Sequence, residues 1–175
     1  MLYFLVSSEQ FLHVSAVKKE TLSSDLDTFD LAILRLIQED NTIPHRIIGE
    51  KVNLSAPSVQ RRIKRMQKAG VIAAQTAVLE PSKVGLPLTI LVEVELKAET
   101  GGQIDAIKAE FLAAQEIQQC YYVTGEADFV LVILIGDMAE YEALTQRLFF
   151  GNANIRKFKT FVVMDRTKAS GSLNI

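Results

Sequence analysis

The chain has 175 residues, 49% apolar and 23% charged, with a formal net charge of −2. That length supports one or two domains of roughly 100–200 residues and a core that needs neither metal nor disulfide. The composition excludes the disordered, collagenous and disulfide-scaffold classes, and the mild acidity argues against a uniformly basic nucleic-acid binder.

The first apolar run, Met1 to Val6, is soon interrupted by Glu9, Gln10 and His13, and no Lys or Arg precedes Lys18. A secretory signal needs a basic start and a longer apolar stretch, so the faint cleavage-like Val14-Ser15-Ala16 does not make one. Residues 1–24 read as an extension outside the main fold. The single cysteine, Cys120, makes no internal bridge and fits a reducing cytoplasm. His13 and His45 stand far apart with no second histidine at helical spacing, so neither a metal site nor any other cofactor is expected.

Asp27 is a good N-cap for a first helix, with Asp30 placed to favour its positive end. Leu26 and Leu31 have the spacing of a hydrophobic staple. Phe29, Ile33, Leu36 and Ile37 supply an apolar stripe, and Asp40-Asn41 is a stop. A second helix starts near Pro44 and runs through Ile47, Ile48 and Val52, with Gly49 allowing close approach and Asn53 suited to a left-handed end. Ser55 caps a third helix that carries Pro57 in its first turn. Val59, Ile63 and Met66 form its apolar stripe, and Gly70 ends it. Arg61, Lys64, Arg65 and Lys68 point away from that stripe, with Pro57 and Ser58 on the same outer side and Gln60 at its edge.

Charge is segregated along the chain. Residues 25–72 sum to +2 and residues 73–175 to −4. Between Ala56 and Lys68 lie five bases, Arg61, Arg62, Lys64, Arg65 and Lys68, and no acid. Two helices joined by the tight turn Val52–Ser55, the second basic on its outer face, form a helix-turn-helix pattern. Early residues on such a helix reach base edges in the major groove of double-stranded DNA, and later bases neutralise phosphates.

The second half alternates differently. Leu88, Ile90, Val92, Val94 and Leu96 share one face of a half-buried strand, which Gly101-Gly102 breaks. Ile104, Ile107, Phe111 and Leu112 form a helical stripe. Ile117–Thr124 is a second strand, Gly125-Glu126-Ala127-Asp128 a turn, and Phe129–Ile135 a third strand apolar enough to be covered on both faces. That third segment is far shorter than the ~20 residues of a membrane span. Asp137 and Glu140 have capping-box spacing, Tyr141, Leu144 and Leu148 continue that helix, Gly151-Asn152 stops it, and Ile155–Met164 is a fourth strand. The order is βαββαβ, a ferredoxin-like α+β pattern whose sheet has one face without helices, so a homodimer is expected.

From Asp27 to about Lys168 the chain resembles the Lrp/AsnC ("feast/famine") transcription regulators. The matching stretches are Leu26 to Asp30 with Ile33-Leu34, Val52 to Ser55, Arg61 to Met66 with Gly70 to Ile72, Val123 to Phe129, Asp137-Met138 and Phe161 to Met164. The resemblance implies a winged-helix-like helix-turn-helix domain over 25–72, a linker strand over 73–86 and a ferredoxin-like effector and oligomerisation domain over 87–175. It further implies an amino-acid effector and dimers that often assemble into octamers. Ala127 stands where the family frequently has a larger residue.

On that reading the DNA-binding candidates are His45, Ser55, Pro57, Ser58, Gln60, Arg61, Arg62, Lys64, Arg65 and Lys68. The effector candidates are Thr124, Gly125, Glu126, Asp128 and Thr160, with Asp128 suited to an ammonium group. Cys120 reads as a small buried side chain. An alternative is an amino-acid-binding oligomer whose helical half makes protein contacts. An enzyme is not expected, because no nucleophile–base pair, metal cluster or glycine-rich phosphate loop stands out.

Overall fold

Two aspartates start the first helix by capping each other. The Asp27 side chain accepts from the Asp30 N–H at 2.9 Å and Asp30 accepts from the Asp27 N–H at 3.1 Å, a capping box that opens α1 (Thr28–Glu39). The computed structural model describes residues 26–98, 100–169 and 171–175, so the extension read over 1–24 lies outside the described residues. Helix α2 (His45–Val52) follows with Pro44 as its N-cap, one position earlier than a first-turn proline. It ends at Asn53, whose φ of 56° is left-handed, as the sequence predicts. Ser55 then caps α3 (Ala56–Lys68) by accepting from the Ser58 N–H.

Ile33, Ile48, Val52, Val59, Ile63 and Met66 form the core of this helical unit. Phe29, expected in the first stripe, is instead 41% exposed and lies 5.5 Å from the Arg62 guanidinium. Its position on that stripe is displaced because Asp30, not Phe29, faces inward: Asp30 is fully buried. Lys168–Ile175 group with these helices rather than with the sheet that precedes them in sequence. The Gln38 amide donates to the Leu173 carbonyl at 2.8 Å and accepts from the Leu173 N–H at 2.9 Å, pairing with that backbone as a neighbouring strand would. Arg35 donates to the Ile175 carbonyl.

Residues 73–80 contain no strand, and Pro81–Val84 is a single 3₁₀ turn. A strand needs a partner for its backbone groups, and among the described residues the expected linker strand is paired with none.

The second unit, Leu79–Thr167, is built on β1 (Leu88–Leu96), α4 (Gly101–Ala113), β2 (Ile117–Tyr122), β3 (Phe129–Ile135), α5 (Met138–Thr145) and β4 (Ile155–Val162). A π-helical turn, Gln146–Phe150, prolongs α5. The strands are antiparallel in the order β2-β3-β1-β4, the ferredoxin-like arrangement predicted. The inward residues of β1 and β3 pack with Ile107, Phe111, Tyr141 and Leu144. Phe111 meets Phe129 and Phe149 edge-on, at 5.5 and 6.3 Å between ring centres. Leu112, placed in the α4 stripe by its spacing, is 81% exposed.

Strand β3 was expected to be covered on both faces. Phe129, Leu131, Ile133 and Ile135 are buried, whereas Val130, Val132 and Leu134 are only half-buried. Helices cover one face alone, and the other keeps an apolar strip in which Val132, Leu91 and Phe161 lie side by side across three strands.

Gly49 is where α2 packs against the turn that leads into α3. It is buried in α2, and a Cβ there would overlap the Leu54 carbonyl oxygen in the turn. Gly49→Ala therefore lowers the stability of the helical unit by about 1–3 kcal/mol through overpacking, outweighing the ~1 kcal/mol that alanine gains in a helix. Urea unfolding followed by circular dichroism measures it, and an unchanged or raised midpoint would show that the turn yields.

Candidate functional site

The third helix divides its side chains sharply. Val59, Ile63 and Met66 are buried, while Pro57, Gln60, Arg61, Lys64 and Lys68 are exposed. Ser58 is half-buried and shares a 3.0 Å hydroxyl–hydroxyl bond with the exposed Ser55. His45 is exposed at the start of α2. The outward face of α3 thus presents Arg61, Lys64 and Lys68 together, with short polar groups near its N-terminus. That is a geometry able to enter a groove and neutralise phosphate.

Arg62 and Arg65 lie on the flank of the same helix and turn toward α1. Arg62 donates to Asp30 at 2.9 Å and to Asp27 at 2.7 Å, and Arg65 pairs with the second Asp30 oxygen. The hydrogen bonds that Arg62 donates to the Asp30 and Asp27 carboxylates raise its pKa above its already high ordinary value. The Asp30 N–H, and then the Arg62 guanidinium, hold the Asp27 carboxyl below its ordinary value. Asp30 was read from sequence only as an acid favouring the helix start. Its spacing with Ile33 and Ile37, three and seven residues on, marks the core-facing stripe and was the signal for its burial.

The loop between β2 and β3 is pinned by Asp128. Its carboxylate accepts from the Leu96 N–H at 2.6 Å, and its own N–H donates to the Val94 carbonyl at 2.9 Å. Such a charge-assisted bond to a backbone donor is stronger than a neutral one. Gly125 adopts a φ of 134°, a conformation L side chains rarely take. Thr124, Gly125 and Glu126 are exposed. Beside them, Lys159 on β4 reaches Glu93 at 3.5 Å and Glu126 at 3.9 Å, and Glu95 pairs with Arg156 and Lys157. This ladder of cross-strand charges went unnoticed in the sequence, because the pairing of β1 with β4 brings together residues more than sixty positions apart.

Glu93, Glu95, Glu126, Ala127, Lys157 and Lys159 bound a depression with about 10 Å³ of open space, room for about one water. Thr160 is not gathered with the loop. It lies across from Val92 on the helix-covered face, and its hydroxyl bonds to the Tyr141 hydroxyl at 2.6 Å. Cys120 is half-buried, and burial raises its thiol pKa. Among the described residues no cluster of His, Cys, Asp and Glu is arranged to hold a metal, and no helix is long and apolar enough to cross a membrane.

Comparison with known proteins matches both units. Residues 26–73 fit the winged helix-turn-helix DNA-binding model, and residues 89–173 fit the Lrp/AsnC ligand binding domain. An HTH-type transcriptional regulator of Sinorhizobium fredii is 41% identical over 86% of this chain and 89% of its own length. The leucine-responsive regulatory protein of Haemophilus influenzae is 32% identical over 85% of this chain and 89% of its own. The crystal structure of an AsnC family transcriptional regulator from Agrobacterium tumefaciens superposes with a TM-score of 0.81 at 28% identity, covering 85% of this chain and 97% of that one. A Neisseria meningitidis transcriptional regulator in complex with L-Met superposes at 0.80 and 25% identity, covering 85% and 96%. The core-facing and outward faces of α3, the βαββαβ sheet and these matches agree that the chain belongs to the Lrp/AsnC family of DNA-binding transcriptional regulators.

Proposed function

We propose that this regulator reads double-stranded DNA with the outward face of α3 and responds to an amino acid received at the β2–β3 loop of an oligomer. The observation that carries the DNA half is the separation on α3 itself: Arg61, Lys64 and Lys68, with the half-exposed Arg65 beside them, stand opposite a buried apolar stripe. Pro57, Ser58 and Gln60 approach base edges. Arg61, Lys64 and Lys68 neutralise phosphate, with His45 and Ser55 near the backbone at the helix starts. Arg62 and Arg65 are engaged with α1 and are not assigned to phosphate.

The effector half rests on the ligand-domain match, the L-Met complex of the structurally similar Neisseria regulator and the form of the loop. Gly125 lets the turn present backbone groups to a carboxylate. Asp128 keeps the loop in place through Leu96 and offers its remaining acceptor capacity to an ammonium group. The depression beside the loop has about 10 Å³ of open space within one protomer, which supports a pocket completed by a second copy. The apolar strip of Val132, Leu91 and Phe161 on the open sheet face is the natural surface for a homodimer, and further assembly to an octamer would bring loops of different dimers together.

Four measurements test this. Replacing Arg61 and Lys64 by Ala weakens DNA binding and reduces the slope of log K against log salt by about one per residue. An unchanged slope removes both from phosphate. A gel shift on the upstream region of its own gene, with and without amino acids, separates a DNA regulator from an amino-acid-binding oligomer that makes protein contacts. In a thermal-shift screen of the twenty amino acids, at least one raises the melting temperature, because a ligand selective for the folded state stabilises it. Light scattering at micromolar concentration finds a dimer or larger, and a monomer contradicts the assembly.

A further inference from the structure

Asp30 is a charged side chain with no exposed surface, at the start of α1 and outside the face assigned to DNA. A buried carboxylate is costly unless cations and hydrogen bonds surround it. Here it has both. Its oxygens accept from the Asp27 N–H, from Arg62 at 2.9 Å and from Arg65. Arg62 is further held by Asp27 and by the Phe29 ring, and its side chain is only 22% exposed.

Stability alone does not require this arrangement, since buried ion pairs are often replaced by apolar residues without loss. What the pairing does is geometric. Arg62 and Arg65 are three residues apart on one flank of α3, so two bonds to one fixed carboxylate resist rotation of that helix about its axis. A rotation of about 20° would displace side-chain ends by about 2 Å at a helix radius of ~5–6 Å, more than a hydrogen bond to a base edge tolerates.

We infer that Asp30 is a positioning residue for DNA recognition: by gripping Arg62 and Arg65 it sets the rotation of α3 and withholds both charges from phosphate. This rests on the reading of α3 as the DNA-contacting helix. The consequence is a division of labour among five bases of one helix. Arg61, Lys64 and Lys68 face the nucleic acid, and the flanking pair orients them.

The full-length protein is tested on two duplexes of equal length, one enriched from a random pool by the wild-type protein and one of random sequence. Failure of the wild type to enrich any duplex defeats the underlying reading and is thereby distinguished from failure of this inference. Asp30→Asn keeps the shape and removes the charge. In the folded variant, affinity for the enriched duplex falls at least tenfold, while affinity for the random duplex stays within about twofold or rises and its salt slope steepens as the released arginines reach phosphate. An unchanged ratio between the duplexes overturns the inference.

Where Asp30→Asn does not fold, Arg65→Gln decides. Asp30 keeps Arg62 as its neutralising partner, and the ratio between the duplexes falls at least threefold with the salt slope unchanged. A slope lower by about one shows Arg65 on phosphate directly and overturns the inference, as does an unchanged ratio.

Discussion

A carboxylate sealed from water and answered by two guanidinium groups governs the helical half of this molecule. Asp30 completes the cap of α1 through the Asp27 N–H and reaches Arg62 and Arg65 on α3. One side chain therefore links the beginning of the first helix to the flank of the third. The apolar core beneath it, from Ile33 to Met66, holds the helices together through burial, a driving force without direction of its own. Charged hydrogen bonds supply the direction that the core lacks.

The sheet half uses the same device more lightly. Asp128 fastens the β2–β3 loop to the end of β1 by way of the Leu96 N–H, so a polar loop is registered against a strand and not left to its own turn preferences. The two faces of the sheet then divide their tasks. Ile90, Val92 and Val94 point into the aromatic and aliphatic layer beneath the helices. Leu91, Glu93 and Glu95 point the other way, into an apolar strip and a ladder of ion pairs with β4. The Lys159–Glu93 pair is open to solvent and contributes little to stability, whereas the Glu95 carboxylate is only 12% exposed and depends on its cations for compensation.

Local rules made most of the fold legible. Alternation marked β1 and an unbroken apolar run marked β3 to the residue, and Asn53 and Ser55 marked the turn between α2 and α3, because backbone geometry there has few solutions. Single-residue burial was harder. Phe29 and Leu112 sit one position beside the true core stripe, and hydropathy placed both inside although packing leaves them outside. The Asp137 side chain caps α5 as expected, whereas the Glu140 carboxylate reaches the Gly136 N–H, one residue before the cap. Partners distant in sequence were the least visible. A run of five bases reads as one basic face until the fold shows that Arg62 and Arg65 have acids more than thirty residues away.

Strand order also has a consequence for synthesis. Strand β1 lies between β3 and β4, so both of its edges wait for chain made thirty to seventy residues later. The three helices are joined by short turns and are complete early as the chain leaves the ribosome, where domains generally fold from the N-terminus, and the Lys168–Ile175 segment joins them last. Meanwhile β1, alternating Leu, Ile and Val, emerges with unpaired edges, the kind of segment that invites pairing with another nascent chain. Its glutamates, Glu93 and Glu95, interrupt the outer face of that strand before Lys157 and Lys159 exist to neutralise them. The charges that later join the sheet thus first serve to keep neighbouring unfinished chains apart.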